Sequence, residues 1–381
     1  MSMYLSPMIT AIAVFPILAA LIAFPFALVQ YHKYGSIPWL KVLIFFTFAY
    51  YMLTIYFLII LPLPDKNDLS SFSYAGHIEL IPFDNILDYF RKKPFTMDLS
   101  YILTFLKSPC FYELAFNILM VVPFGMYLRY YFKCSLKKTF FLSFLLSLFF
   151  ELTQLSSLYG YYPAPYRTFD TDDLICNTLG GVLGWVLSPA FTFFLPQRRQ
   201  LDEQSVAASV KVSVWRRGCA DIVDVILFML IYTAIQFGLS LFQVSWQSSD
   251  ELYIGAFLFL QWFNASISHG SSPGKSICRI QVCMNDKKKA SFLAQLLRYL
   301  ILWAFVSGNS LLAQWVQKEM MVQTGMMQNI LYGTNLLCYV IEIVMVMDVL
   351  HAIVMHKPML YEKISHTEIV STMPLTPLDT E

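Results

Sequence analysis

Residues 151–184 read ELTQLSSLYGYYPAPYRTFDTDDLICNTLGGVLG, and their polar groups stand at the ends of two apolar runs. Glu151 and Gln154 close one run at i and i+3, on one helix face. Arg167, Asp170 and Asp173 follow, and Asn177 with Gly180, Gly181 and Gly184 opens the next run. A helix needs about 20 apolar residues to cross a bilayer. Ionisable groups at that depth are expensive and mark candidate sites. Reading the two runs as membrane spans decides the fold class: an all-α, polytopic membrane helix bundle.

The rest of the chain agrees with that reading. Of 381 residues, 57% are hydrophobic, 17% aromatic and only 13% charged, against about 25% charged in a soluble domain. The net charge of +1 offers no basic excess to pair with phosphates, which excludes nucleic acid as a partner. The seven cysteines are scattered without a CxxC pair, so they read as reduced thiols facing lipid or core. The first apolar stretch has neither a basic leader nor a small-residue cleavage site, and reads as a retained span.

Apolar runs recur at 8–30, 39–62, 112–132, 137–157, 173–196, 219–243, 252–268, 290–316 and 328–355, the seventh being the shortest. They predict about nine helices. Lysine and arginine crowd the connections 129–138, 197–218 and 269–289, whereas 158–172 has only Arg167 and 244–251 has none. Cytoplasmic loops carry that excess, so the N-terminus is expected outside and the C-terminus in the cytoplasm. The long 63–111 segment is assigned outside despite Arg91, Lys92 and Lys93, because long loops translocate regardless of charge. Its apolar Ile81–Leu87 stretch is expected to dip into the membrane surface. The polar 197–215 stretch reads as a cytoplasmic linker, which divides the chain into domains 1–196 and 216–372 with a tail at 373–381.

In this topology Asn117, Glu151, Gln154, Arg167, Asp170, Asp173 and Asn177 meet at one depth, near the outer leaflet. Glycines 180, 181 and 184 remove side chains where that span would touch a neighbour. Each amide taken alone also fits interhelical hydrogen-bond glue, and Arg167 could simply pair with Asp170. Together the carboxylates outnumber the arginine, so the site should attract a cation or a cationic group. Oxygen ligands of this kind suit Mg²⁺ or Ca²⁺ as well, but no metal-specific spacing is present, and neither a metal nor a cofactor is expected.

Ile81-Pro82-Phe83, Asn117 followed by Pro123-Phe124-Gly125, Glu151-x-x-Gln154 and Arg167-x-x-Asp170-x-x-Asp173-x-x-x-Asn177-x-x-Gly180 occur in this order. On these residues the first 195 positions or so resemble the VanZ-like family. That family takes its name from a factor raising resistance to teicoplanin and has no established reaction. The resemblance implies a role in a bacterial cell envelope, in the plasma membrane, with antibiotic resistance as its readout. Membrane lipids, a cell-wall precursor or a cationic amphiphile are then the expected partners.

The second half carries its own charges. Arg217, Asp221 and Asp224 form one stripe at the start of the sixth span, Arg298 sits in the eighth, and Glu342 and Asp348 lie in the ninth. Their near balance fits a buried ion-pair network, and their depth equally fits a protonatable relay or cation site. Arg217-x-x-Ala220-x-x-x-Asp224, Ser272-Pro273-Gly274-Lys275, Ile280-Gln281-Val282 and Arg298 resemble the RDD family, named for an arginine and two aspartates. The last position departs from that pattern, with Glu362 standing where an aspartate is expected. Ion transport is suggested for some RDD members, which implies an ion-coupled transporter or antiporter as the alternative function. Against it, neither an inverted repeat nor a mid-span helix break is legible.

Other signals point nowhere. Residues 270–275 lack phosphate-loop spacing, His351 and His356 are five apart and off a helical zinc face, and no Gly-x-Ser-x-Gly elbow exists. An enzyme using Glu151 as a general base would lack a paired nucleophile.

Overall fold

A computed structural model of the chain describes residues 2–65, 78–165, 167–242, 250–268, 270–355 and 357–374. The 66–77 part of the long loop, most of the 244–251 connection, His356 and residues 375–381 of the expected tail lie outside the described residues. Among the described residues, eight helices are long and apolar enough to cross a membrane. The short seventh run forms the helix Asp250–Ile267. The protein is a multi-pass, all-α membrane bundle.

Two compact units emerge, Met1–Leu21 with Trp39–Leu201 and Ile22–Pro38 with Asp202–Glu381. The first helix, α1 (Ser2–Tyr34), contributes to both.

The first unit continues with α2 (Trp39–Ile60), β1 (Ile78–Glu79), α3 (Asp84–Lys92), α4 (Leu99–Leu106), α5 (Pro109–Tyr130), α6 (Leu136–Leu155), α7 (Ser157–Gly160), β2 (Phe169–Asp170) and α8 (Thr171–Thr192). Local chemistry sets where the spans begin. Ser108 caps α5 by accepting from the Phe111 N–H, with Pro109 in the first turn, and Ser135 caps α6. Inside α5, Pro123 interrupts the hydrogen-bond ladder. The Tyr51 hydroxyl enters the gap, donating to the Met120 carbonyl at 2.7 Å and accepting from the Phe124 N–H at 3.2 Å. Ile55, Met120, Val121, Phe124, Leu128 and Phe150 form the core beside it.

α5 and α8 lie against each other along their lengths because glycine lets them. A Cβ on Gly180 would collide with the Ile118 carbonyl, one on Gly184 with the Val122 carbonyl, and one on Gly125 with Gly181. The expected small-residue face is therefore a backbone-to-backbone crossing. At the far end Arg129 lies over the Trp185 ring at 4.0 Å and donates to the Trp185 carbonyl at 2.8 Å. The expected surface dip in the long loop begins with exposed Ile81, turns at Phe83 in the left-handed region (φ 60°) and runs into α3.

The second unit comprises α9 (Arg198–Ala208, shared at its start), α10 (Val214–Leu241), α11 (Asp250–Ile267), α12 (Pro273–Ile277), β3 (Ile280–Met284), α13 (Phe292–Trp303), α14 (Asn309–Met320), α15 (Met326–Met355), α16 (Leu360–Ile364) and β4 (Thr367–Ser371). The polar 197–215 stretch holds the helix α9, with Leu201, Ser205 and Ser209 buried. β3 and β4 pair antiparallel from Ile280↔Ser371 to Met284↔Thr367 and pack on Tyr31, Ala220 and Cys278. Arg216, fully buried, ties this layer together by donating to the carbonyls of Ser209, Cys278 and Arg279 at 2.7–3.0 Å. Gly35, at φ +69°, leaves no room for a Cβ against Ser209, Arg216 and Met373.

The eighth apolar run forms one span, Phe292–Met320, with a π turn at Ala304–Gly308 between α13 and α14 that the sequence did not announce. The turn carries glycine, a poor helix former, and is followed by Asn309, whose amide donates to the Cys338 carbonyl of α15 at 3.1 Å.

Candidate functional site

In the first unit, the polar ends of α5, α6 and α8 surround a cavity of about 580 Å³. That volume lies in the range of small-molecule sites. Asn117, Glu151, Gln154, Arg167, Asp170, Asp173 and Asn177 all line it. The seven residues singled out from sequence are thus brought together.

The walls are built from the start of α8. Asp170 caps the helix, its carboxylate accepting from the Asp172 N–H at 2.7 Å, and the Glu151 carboxylate in turn accepts from the Asp170 N–H at 3.0 Å. β1 pairs with β2 in parallel, Glu79 opposite Asp170, and the Thr171 hydroxyl donates to the Glu79 carbonyl at 3.0 Å. Asp172 accepts from the Phe83 N–H at 2.6 Å, so the Ile-Pro-Phe turn is fastened to the same helix end. Negative side chains at a helix N-terminus suit its dipole.

Asp173 is held from two sides. Asn117 donates to its carboxylate, and the Ser147 hydroxyl donates to its carbonyl at 3.0 Å. The Asn177 amide donates to Ser147 at 3.0 Å, while its buried carbonyl oxygen has no hydrogen-bond partner among the described residues. Gln154 donates to the Ile59 carbonyl at 3.1 Å, fixing α6 to α2. Glu151 is 2% exposed and lines the cavity together with Asp173.

Five carboxylates line the cavity, from Glu113, Glu151, Asp170, Asp172 and Asp173, against the single arginine Arg167. Arg167 is exposed at the mouth and makes no ion pair with Asp170 among the described residues. Burial holds Asp170 above the usual carboxylate range, aided by the neighbouring Asp172 charge. Among the described residues no group of three His, Cys, Asp or Glu side chains is arranged to hold a metal. The cavity is an acidic pocket with hydrogen-bond acceptors pointed inward.

Sequence reasoning missed Ser147, Asn85 and Glu79 as parts of this site. Ser147 was findable: Ser143, Ser147, Glu151 and Gln154 recur at i, i+4, i+8 and i+11, and all four are buried. Asn85 and Glu79 come from the long loop, where no periodicity announces them.

The charges of the second unit fall into two groups of opposite excess, one lysine between two aspartates and one glutamate between two arginines. Asp224 accepts from the Gly274 N–H at 2.7 Å and from the Ser272 hydroxyl, and Lys275 approaches Asp221 at 3.6 Å and Asp224 at 3.9 Å. Burial works against the Lys275 ammonium, but Tyr299, Asp221 and Asp224 outweigh it and hold its pKa above the ordinary lysine value. Ala220, 0% exposed, stands where a Cβ on Gly274 would meet its carbonyl, which gives the Ala and Gly of the two motifs one physical reason. The second group is Arg217, Glu362 and Arg298, with the buried carboxylate 2.8 Å from Arg217 and 3.3 Å from Arg298. Arg298 also lies over the Tyr361 ring at 4.6 Å. Asp348 accepts from the Leu360 N–H at 2.7 Å. Glu342 is exposed on α15 and joins neither group.

Comparison with protein families matches residues 48–194 to VanZ/LLP1 and residues 211–355 to the RDD family. Neither the curated proteins nor the solved structures searched gave a match. The first match contains every residue of the acidic cavity that the sequence singled out, and the second contains Arg217, Asp221, Asp224, Lys275 and Arg298. The chain is a fusion of a VanZ-like domain with an RDD domain.

Proposed function

We propose that the acidic cavity of the VanZ-like domain opens to the outer leaflet of a bacterial plasma membrane and binds a cationic group there. Through that binding the protein contributes to resistance against a glycopeptide such as teicoplanin. The observation that carries this reading is the convergence of five carboxylates and one exposed arginine on a single cavity. Buried carboxylates without counter-charge are costly, and a ligand cation supplies the missing charge. The unpartnered Asn177 carbonyl oxygen is a ready acceptor for an ammonium N–H. Lysine and arginine placement in the loops supports the outward orientation.

Glu151 and Asp173 contact the cation, Arg167 and Asp170 frame the mouth, and Asn117, Gln154 and Asn177 position the contacts. A cell-wall precursor, a lipid headgroup or a cationic amphiphile brings the amine, and a large ligand inserts only that group.

The test is teicoplanin susceptibility of a sensitive Gram-positive host expressing wild type, Glu151→Gln or Asp173→Asn at matched membrane levels. Wild type raises the inhibitory concentration and both variants return it to the level of the host alone. Equal protection by wild type and variants sinks the reading.

A further inference from the structure

The second unit contains a larger cleft, of about 1570 Å³, whose lining takes in Arg217 and Glu362 and extends well beyond them. Lys211, Lys287, Lys357 and Lys363 line it from three separate pieces of chain, and all four are exposed. The acidic side chains in its lining are Glu362, already taken by Arg217 and Arg298, and Glu368. The cleft therefore carries a positive charge that the protein itself does not neutralise.

Its position identifies the ligand. Trp215, 72% exposed, lies in the first turn of the span α10, Met355 is the last residue of the span α15, and Tyr31 lies in the last turn of α1. Three spans end at this cleft, which sets it at the depth of lipid headgroups, where an exposed tryptophan is at home. Basic pockets at that depth neutralise phosphodiesters. We infer that the cleft is a binding site for the headgroup of an anionic phospholipid, held by Lys211, Lys287, Lys357 and Lys363 beside Trp215.

The experiment uses the full chain purified in a neutral detergent, with retained lipid measured by native mass spectrometry as phosphatidylglycerol or phosphatidylcholine is titrated in. The variants are Lys211→Gln with Lys363→Gln, the same pair changed to Arg, and Lys133→Gln with Lys137→Gln in a different basic loop. Thermal unfolding in phosphatidylcholine confirms that each is folded. Losing two headgroup contacts weakens phosphatidylglycerol retention by about 30-fold, while phosphatidylcholine retention does not change. The arginine pair and the 133/137 pair retain phosphatidylglycerol as wild type does. Equal retention of both lipids by wild type, or unchanged phosphatidylglycerol retention in the Lys211/Lys363 glutamine variant, overturns the inference. Displacement of phosphatidylglycerol by millimolar inorganic phosphate overturns it too, in favour of a free anion.

Discussion

Glu362 holds two guanidinium groups with one carboxylate and accepts from the Met359 N–H at 3.0 Å, so it also fixes the start of its own short helix. The carboxylate reaches Arg217 and Arg298 from α16, outside the spans that carry them. Removing the charge strands two buried cations, which costs on the order of 3–5 kcal/mol. Glu362→Gln should therefore melt well below wild type in detergent, with Glu362→Asp between the two. A glutamine variant as stable as wild type would falsify this assignment of the pair as structural. Asp170 shows the opposite condition: its carboxylate has a helix end to cap but no cation beside it, and that vacancy of charge separates a site from a brace.

At the scale of elements, the α5–α8 crossing decides whether the acidic cavity has walls. Where the backbones touch at Gly184, any side chain forces them apart, and overpacking of this kind costs about 1–3 kcal/mol. Gly184→Ala should lower the melting temperature and expose the cavity residues to faster hydrogen exchange. Gly238 is also helical but meets nothing within 4 Å. There alanine gains roughly 0.5–1 kcal/mol of helix propensity, so Gly238→Ala should raise the melting temperature. Opposite signs from the same chemical change test the crossing directly.

For the whole molecule, orientation is what joins geometry to function. Charge alternation predicts that the 129–138 connection lies inside and the 158–172 connection, next to the acidic cavity, outside. Cysteine introduced at Lys133 should react with a membrane-impermeant maleimide only after cells are opened, whereas cysteine at Tyr161 should react in intact cells, each measured against wild-type labelling. The reverse pattern would put the cavity in the cytoplasm and remove it from any extracellular ligand. The two domains differ electrostatically: among the described residues one gathers five carboxylates around a cavity, and the other joins its carboxylates to lysine and arginine in ion pairs.

Most of the architecture was legible because lipid leaves so few choices. Hydrocarbon forces backbone groups to bond within helices, so the all-α multi-span bundle, the glycine face and the two family patterns could be read from composition and spacing alone. The acidic site was legible for the same reason, since polar residues such as Glu151 and Asn177 stand out against apolar runs. Other features depended on contacts between distant segments, which no local pattern encodes. These are the pairing of Arg217 with Glu362 across 145 positions, the Tyr51 hydroxyl inside the Pro123 break, the fastening of Phe83 to Asp172 and the π turn. The sequence by itself determined that helices would span and where charge would gather. Only the tertiary structure decided which charges pair with one another and which gather around a cavity, because that depends on distances of a few ångströms between elements far apart in the chain.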